Sequence, residues 1–273
     1  MTDRYAVLGH PIAHSQSPRI HAEFARATGD DLEYTAVLAP LDGFEATVRD
    51  FIAAGGRGVN VTVPFKQQAY ALADERTPNA RRARAANVLD FRDGRIVAHN
   101  TDGVGLIRDL VVNLKCPLAG RRVLLLGAGG ASWGVAGPLL DAAPARLAVA
   151  NRTPQKAQDL AAHFPPGRIE AFSYEALAGE VFDIIINGTS AGLTDAMPPL
   201  PATVFARDAL AYDMVYGKVT PFMAFSRAQG ACVADGLGML VEQAAESFFI
   251  WRGVRPETAP VIALLRSAVR SEG

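Results

Sequence analysis

The chain has 273 residues, 49% of them hydrophobic and 20% charged, with a formal net charge of −1. A balance so close to neutral offers no general attraction for nucleic acid or an acidic membrane, and the longest apolar run, VLLLGAGGA, is far too short to span a bilayer. The N-terminal MTDRYAVLGHP lacks the charged-then-apolar layout of a signal peptide, so a cytoplasmic location is expected. Cys116 and Cys232 sit in unrelated segments, which argues against a disulfide framework. His10, His14, His21, His99 and His163 show no metal-ligand spacing, so chemistry without a metal is expected.

In chain order, Tyr5–Gly9 reads as a strand, and Ser17-Pro18 as a helix start with Ser17 as cap and Pro18 at the first helical position. Leu32–Ala39 is a second strand and Gly43–Ala54 a second helix, ended by Gly55-Gly56. Gly58–Val63 is a third strand, followed by helices over Pro64–Asp74 and Pro78–Ala86 and a hairpin over Val88–Ala98 turning at Asp93-Gly94. A helix from Asp102 to Leu114 leads to Pro117 and Gly120, where the alternation restarts. Strands are expected at Arg122–Gly127, Arg146–Asn151, Phe182–Asn187, Ala209–Met214 and Ala231–Ala234. Helices are expected at Gly130–Asp141, Thr153–His163, Pro221–Gln229, Leu237–Arg252 and Pro256–Ser271. Length and pattern together predict a two-lobed α/β fold with mostly parallel sheets. An N-terminal α/β substrate lobe over 1–102 precedes a Rossmann-type dinucleotide-binding lobe over 103–238, and the closing helices, 239–273, return to the first lobe.

The strand VLLLG runs directly into Gly127-Ala128-Gly129-Gly130-Ala131-Ser132 and a helix. Gly127 allows a tight turn, Gly129 lets the backbone approach a pyrophosphate, and Ser132 keeps the third glycine position small. An NAD site places an acid about 20 residues further on. Here Asn151-Arg152-Thr153 and Lys156 occupy that region, so nothing repels a 2′-phosphate and NADP is the expected cofactor.

The strand from Gly58 to Val63 alternates, with Val59, Val61 and Val63 on one face and Asn60 and Thr62 on the other. Polar groups near the carboxyl end of such a strand suit a ligand crevice. Lys66 stands in the first turn of the next helix, against the helix dipole; it is either a solvated lysine or one placed for chemistry. Asp102 is either a favourable first-turn acid, with Asn100 or Thr101 as cap, or a partner for Lys66. Ser17 is credible as a cap, while Ser15 has no evident structural task; two hydroxyls at a helix N-terminus suit a carboxylate.

Seven motifs in order now carry a resemblance: His14-Ser15-Gln16-Ser17-Pro18, the run from Asn60 to Lys66, Asn100-Thr101-Asp102-Gly103, Gly127–Ser132, Asn151-Arg152-Thr153, the run from Tyr212 to Tyr216, and the run from Asp235 to Leu240. Together they resemble the shikimate dehydrogenase family over nearly the whole chain. The resemblance implies reduction of 3-dehydroshikimate to shikimate with NADPH, in aromatic amino-acid biosynthesis. It implies a catalytic pair, Lys66 and Asp102, and a substrate carboxylate on Ser15 and Ser17. Asn60, Thr62, Asn87, Asp102 and Gln243 would meet the ring hydroxyls, and Tyr216 would line the same site. The cofactor would lie against Gly127 to Ser132, Asn151, Arg152, Thr153, Lys156, Thr189, Met214 and Gly236. The partner is a small molecule, with neither nucleic acid nor membrane, and the chain is a monomer or homodimer.

Four departures from the family pattern stand out. Arg84-Ala85-Ala86-Asn87 replaces the usual Gly-Ala-Val-Asn, and Ala98 replaces a glycine before His99. Trp133 occupies a position where many relatives carry arginine, and the loop from Tyr216 to Pro221 is about one residue short. None removes a catalytic group. Two other functions fit the pattern less well: a quinate/shikimate dehydrogenase using NAD, and a non-catalytic NADP-binding regulator on the same fold.

Overall fold

The computed structural model describes residues 2–189 and 196–271. The chain divides into two compact units, Met1–Gly105 with Leu240–Gly273, and Leu106–Met239.

In the first unit, β1 (Asp3–Gly9), α1 (Ser17–Thr28), β2 (Leu32–Leu38), α2 (Phe44–Ala53) and β3 (Gly56–Val61) come first. They are followed by α3 (Lys66–Leu72), β4 (Glu75–Arg76), α4 (Pro78–Ala83), β5 (Val88–Arg92) and β6 (Arg95–His99). The sheet order is β2-β1-β3-β5-β6-β4. β2, β1 and β3 are parallel, whereas β5 and β6 form an antiparallel hairpin against β3. Three of the five pairings are parallel, in keeping with the mostly parallel sheet expected, and the two-residue β4 joins it beside β6, unforeseen from so short a segment. The hairpin turns where expected, with Asp93 at φ 50° and Gly94 at φ 73°, the backbone a two-residue turn requires.

β3 ends at Val61, not at Val63. Pro64 has no N–H to continue a ladder, and Val63, expected on one face with Val59 and Val61, is 63% exposed. On one face, Leu8, Val59, Val61 and Phe65 pack with Phe44, whose ring stacks on Phe65 at 4.9 Å. An aromatic group forms a second cluster, with Trp251 stacked on Tyr5 at 4.7 Å and Phe24 edge-on to Phe248 at 5.8 Å. Trp251 and Phe248 belong to α9 (Leu237–Arg252), whose residues from Leu240 onward lie in this unit with α10 (Ala259–Ser271). Arg252 anchors the end of α9 by pairing with Asp30 at 2.8 Å and with Asp3.

The division of the chain falls within α5 (Asp102–Arg108). The expected helix to Leu114 is α-helical only to Arg108; Asp109–Asn113 is a π-helical turn. The second unit holds β7 (Arg122–Leu126), α6 (Gly130–Asp141), β8 (Arg146–Ala150), α7 (Pro154–Ala162), β9 (Glu170–Phe172), β10 (Phe182–Asn187), β11 (Phe205–Asp213), α8 (Pro221–Ala228) and β12 (Cys232–Asp235). All six strands are parallel in the order β12-β11-β10-β7-β8-β9. Counted from β7, this is the doubly wound order of dinucleotide-binding sheets, which reverses direction between β7 and β10. β9 was not anticipated. β7 buries alternate residues in two layers: Val123 and Leu125 pack with Val135 and Leu139, while Leu124 and Leu126 pack with Ile185 and Phe222. Asp109 is buried and accepts from the Tyr212 hydroxyl at 2.7 Å, and Gly238 fits against it so closely that a Cβ would lie 1.9 Å from Asp109 Oδ1.

Candidate active site

β3 sends Asn60 into the middle of the first sheet, between Val7 of β1 and Val88 of β5. Just beyond it, Lys66 opens α3, and its carbonyl accepts from Ala86 N–H at 2.8 Å, which sets Asn87 beside it. Asn87 and His99 share a backbone hydrogen bond of 3.1 Å, bringing the segment from Asn100 to Asp102 to the same place. Three sequence-distant stretches thus meet at one end of the sheet.

Lys66 Nζ donates to Asp102 Oδ2 at 2.6 Å. The other oxygen, Oδ1, accepts from Asn87 Nδ2 at 2.9 Å, and Thr101 N–H donates to Asn87 Oδ1 at 2.8 Å. Asn100 Oδ1 accepts from the Asp102 N–H at 3.2 Å, so Asn100 does the capping and the Asp102 carboxylate is left for Lys66 and Asn87. The pair is part-buried, with the Asp102 side chain 10% exposed and that of Lys66 27%. Asn87 Nδ2 also faces Thr101 Oγ1 at 2.9 Å and Gln243 Oε1 at 3.1 Å. An amide has two hydrogens for these three acceptors, and the Thr101 hydroxyl, which also faces Gln243 Oε1 at 3.5 Å, can serve the third.

The N-terminus of α1 corrects one expectation. Gln16, not Ser17, occupies the cap position and makes no side-chain cap. Ser15 Oγ instead accepts from the Ser17 N–H at 3.3 Å, so the serine without an evident task holds the backbone, and Ser17 is buried, 7% exposed. Thr62 lies past the end of β3, its N–H donating to Leu8 carbonyl at 2.9 Å, and its methyl fills the space over Gly9, where a Cβ would come within 2.5 Å.

In the second unit, Gly127 leaves β7 at φ 93°, the left-handed backbone that favours glycine. A Cβ on Gly129 or Gly130 would meet nothing within 4 Å, so the turn and the start of α6 face open space. Ser132 Oγ is buried without a partner, and Gly188, at the end of β10, would bring a Cβ within 2.9 Å of it. Asn151 closes the turn from the side: its Oδ1 accepts from Ala128 N–H at 3.2 Å and its Nδ2 donates to the Thr153 carbonyl at 2.9 Å. Ala131 sits with Gly130 in the first turn of α6. Arg152, Thr153 and Lys156 are exposed beyond β8, and among the described residues no carboxylate pairs with either cation. Thr189 is tied to Asn187 Oδ1 by its N–H and hydroxyl, at 3.1 and 2.7 Å. Met214 and Gly236 touch at the ends of β11 and β12, where a Cβ on Gly236 would lie 2.2 Å from the Met214 carbonyl oxygen.

Tyr216 is half-buried and belongs to the second unit, whereas the other expected substrate groups belong to the first. Burial raises its phenol pKa. Sequence reasoning missed Tyr34, whose hydroxyl donates to Asn60 Oδ1 at 2.7 Å, and Ser247, which accepts from Asn60 Nδ2 at 2.9 Å. Ser247 had a signal: it follows Gln243 by one helical turn on an otherwise apolar face. Tyr34 had none, because a tyrosine in an edge strand is ordinary. The departures also find physical terms. Arg84 ends α4 at φ 49°, a left-handed conformation that glycine adopts without strain. Ala98 is a buried β6 residue paired with Leu89, and Trp133 packs at 5.0 Å on His163.

The strand order and glycine turn define a Rossmann-type dinucleotide-binding unit, joined in one chain to a mixed α/β unit that carries a lysine–aspartate pair. Comparison with known proteins narrows that class. Residues 7–89 match the shikimate dehydrogenase substrate binding domain, 110–194 the shikimate/quinate 5-dehydrogenase model, and 236–266 the shikimate 5′-dehydrogenase C-terminal domain. The shikimate dehydrogenase (NADP(+)) of Methylobacillus flagellatus is 61% identical, covering 97% of this chain and 100% of the relative. A crystal structure of an Ael1 enzyme from Pseudomonas putida superposes with a TM-score of 0.93 at 54% identity, covering 97% of this chain and 98% of that one. Shikimate 5-dehydrogenase of Thermus thermophilus, in complex with NADP(H) and shikimate, superposes at 0.88 with 36% identity, covering 98% and 100%. The chain belongs to the shikimate dehydrogenase family.

Proposed function

We propose that this protein is an NADP-dependent oxidoreductase that reduces 3-dehydroshikimate to shikimate. The observation that carries the reading is Lys66 Nζ held at 2.6 Å from Asp102, whose other oxygen is fixed by Asn87. NADPH, when bound, supplies the hydride. Reducing a ketone builds negative charge on its oxygen, and Lys66 offers that oxygen both a positive charge and a proton. Asp102 keeps the ammonium in place, and Asn87 keeps Asp102 from turning away. Ser15 and Ser17 bind the substrate carboxylate, while Asn60, Thr62, Asn87, Asp102 and Gln243 meet its hydroxyls and Tyr216 lines the site. A substrate lacking one of those hydroxyls leaves its partner in the site unpaired, a basis for selectivity.

The second unit suits NADP. Gly127, Ala128, Gly129, Gly130 and Ala131 leave room for a pyrophosphate at the start of α6, and the unpaired Ser132 Oγ awaits an acceptor or donor. Asn151, Thr153, Thr189, Met214 and Gly236 complete the walls, and Arg152 and Lys156 answer a 2′-phosphate. Residues 1–102 with 239–273 then form the substrate domain, and 103–238 the NADP domain. Among the described residues no helix is long and apolar enough to cross a membrane, and none of their His, Cys, Asp and Glu groups could hold a metal. The reaction belongs to the cytoplasm, with the chain as a monomer or homodimer.

The test is NADPH oxidation on adding 3-dehydroshikimate, with NADH and 3-dehydroquinate as controls. Consumption of NADPH with 3-dehydroshikimate alone supports the reading. Equal rates with 3-dehydroquinate or NADH shift it to a quinate/shikimate dehydrogenase, and no turnover overturns it.

A further inference from the structure

The run from Tyr212 to Tyr216 holds an acid that the functional reading leaves without a role. Asp213 ends β11, paired on one side with Asn187 of β10 and on the other with Asp235 of β12. Its side chain is buried, and its three hydrogen-bond partners are all neutral. Asn187 Nδ2 and the Thr220 hydroxyl donate to Oδ2 at 3.1 and 2.6 Å, and the Val215 N–H donates to Oδ1 at 3.0 Å. A buried carboxylate among neutral groups is costly unless donors surround it. It also does what few side chains can: both oxygens accept and neither donates, so one residue gathers donors from three segments. Thr220 is itself committed to local order, since its Oγ1 accepts from the Met223 N–H at 3.3 Å and caps α8.

The three segments are those that carry Thr189, Met214 and Tyr216. Asn187 holds Thr189 through its other side-chain atom, Oδ1, and its carbonyl accepts from the Met214 N–H at 3.0 Å. Val215 and Thr220 are the two ends of a loop that contains Tyr216 and whose middle, Gly217 to Val219, is exposed. One carboxylate therefore closes this loop at both ends and ties it to the end of β10. The place of the loop along the sheet gives that clasp a use. The glycine turn after β7 suits the pyrophosphate, and Arg152 and Lys156 beyond β8 suit the adenosine half. In the order β12-β11-β10-β7-β8-β9 the nicotinamide half then falls on the other side of β7, over the carboxyl ends of β10 and β11. We propose that Asp213 is a positioning residue: its carboxylate fixes the loops bearing Thr189, Met214 and Tyr216 and so sets the place of the nicotinamide ring. The inference rests on the cofactor reading given under the proposed function.

The experiment follows shikimate oxidation with NADP+ and, on the same variants, inhibition by adenosine 2′,5′-bisphosphate, a probe that carries the adenosine half of NADP+ and no nicotinamide. In Asp213→Asn the new amide nitrogen faces a donor whichever way it turns, Val215 N–H or Asn187 Nδ2, so an anchor is lost. The kcat should fall about ten- to a hundredfold, the scale of a misplaced reacting group. The KM for NADP+ should rise about three- to tenfold, the scale of a lost hydrogen bond, while the inhibition constant of the bisphosphate stays at its wild-type value. Thr220→Val removes one of the three donors and should move kcat and the KM for NADP+ the same way by less, and Thr220→Ser should restore both. If Asp213→Asn does not fold, the two Thr220 variants decide the matter by the same readouts. Wild-type kinetics in Asp213→Asn or Thr220→Val, or no recovery in Thr220→Ser, would overturn the role. A bisphosphate inhibition constant that rises in step with the KM for NADP+ would overturn it too, leaving Asp213 a structural member of the unit. A wild type inactive on shikimate would instead remove the functional reading itself, and the inference with it.

Discussion

Lys66, Asp102 and Asn87 find one another within the first unit, whereas the turn from Gly127 to Ser132 leaves Ser132 Oγ without a partner and the approaches to Gly129 and Gly130 empty. Proton transfer to a developing oxyanion gains most from groups already fixed before the substrate arrives, since no energy is then spent reorienting them. Phosphate binding places the opposite demand: the helix start must keep its donors and its space for the ligand. Glycines make the same contrast. Gly129 and Gly130 leave room for something the chain does not contain, while Gly236 and Gly238 are filled by Met214 and Asp109 of the chain itself.

Substitutions at each plan should therefore fail differently. The largest effect is expected at Lys66. Lys66→Ala should lower turnover of 3-dehydroshikimate by roughly two to four orders of magnitude, the scale of a positioned acid, with a much smaller change in substrate affinity. Steady-state kinetics checks this, and near-normal turnover with a raised KM would make Lys66 a binding residue. Next come the glycines. Gly238→Ala must push against the buried Asp109 carboxylate and should destabilise the fold by about 1–3 kcal/mol in denaturant unfolding. Gly130→Ala, in open space within a helix, should leave stability equal or higher yet raise the KM for NADPH. Destabilisation by both to the same degree would erase the contrast.

A smaller effect is set by pH. Burial drives the pKa of His21 down to about 3 and that of His99 to about 4. Both lie below the ordinary value of 6.5, so the unfolded chain binds these protons first. Stability should be unaffected by them above that value and fall as pH drops below it, by up to about 1.4 kcal/mol per pH unit per histidine. The loss from His21 levels off once pH falls below its folded value. His21→Phe preserves a ring against Tyr34 and should flatten this acid slope in melting-temperature measurements; an unchanged slope would mean that His21 is not the group taking up the proton. Smallest is Arg152→Ala, which should weaken NADPH by about tenfold, the scale of a charge-assisted contact, while hardly altering NADH. Equal losses for both cofactors would show that Arg152 does not read the 2′-phosphate.

Much of the second unit was legible in the sequence because its signals are local. An apolar strand, a glycine turn and a helix follow one another without interruption, and α6 and β10 lie where they were expected. β9 escaped because Glu170–Phe172 is three residues with no alternation to read, and the π-turn at Asp109–Asn113 escaped because its sequence continues a helical pattern. In the first unit the motifs pointed to Lys66, Asp102 and Asn87, but the hydrogen bonds joining them span 15 to 36 residues and follow from sheet pairing, which a single sequence does not display. The roles of Ser15 and Ser17 exchanged for a related reason: two serines, two residues apart, offer the same chemistry, and only the start of α1 decides which one holds the backbone. Tyr34 was invisible because its meaning depends on Asn60, two strands away in the sheet.

The central claim is that Lys66 and Asp102 act as one unit, and a kinetic cycle over Lys66→Ala, Asp102→Asn and the double variant tests it most directly. Each single change should lower kcat for 3-dehydroshikimate reduction, and the double variant should lose far less than the product of the two, because removing either partner already disables the pair. Strictly multiplicative losses would contradict the account: Lys66 and Asp102 would then contribute independently, and the 2.6 Å contact between them would be a structural ion pair rather than the source of the proton.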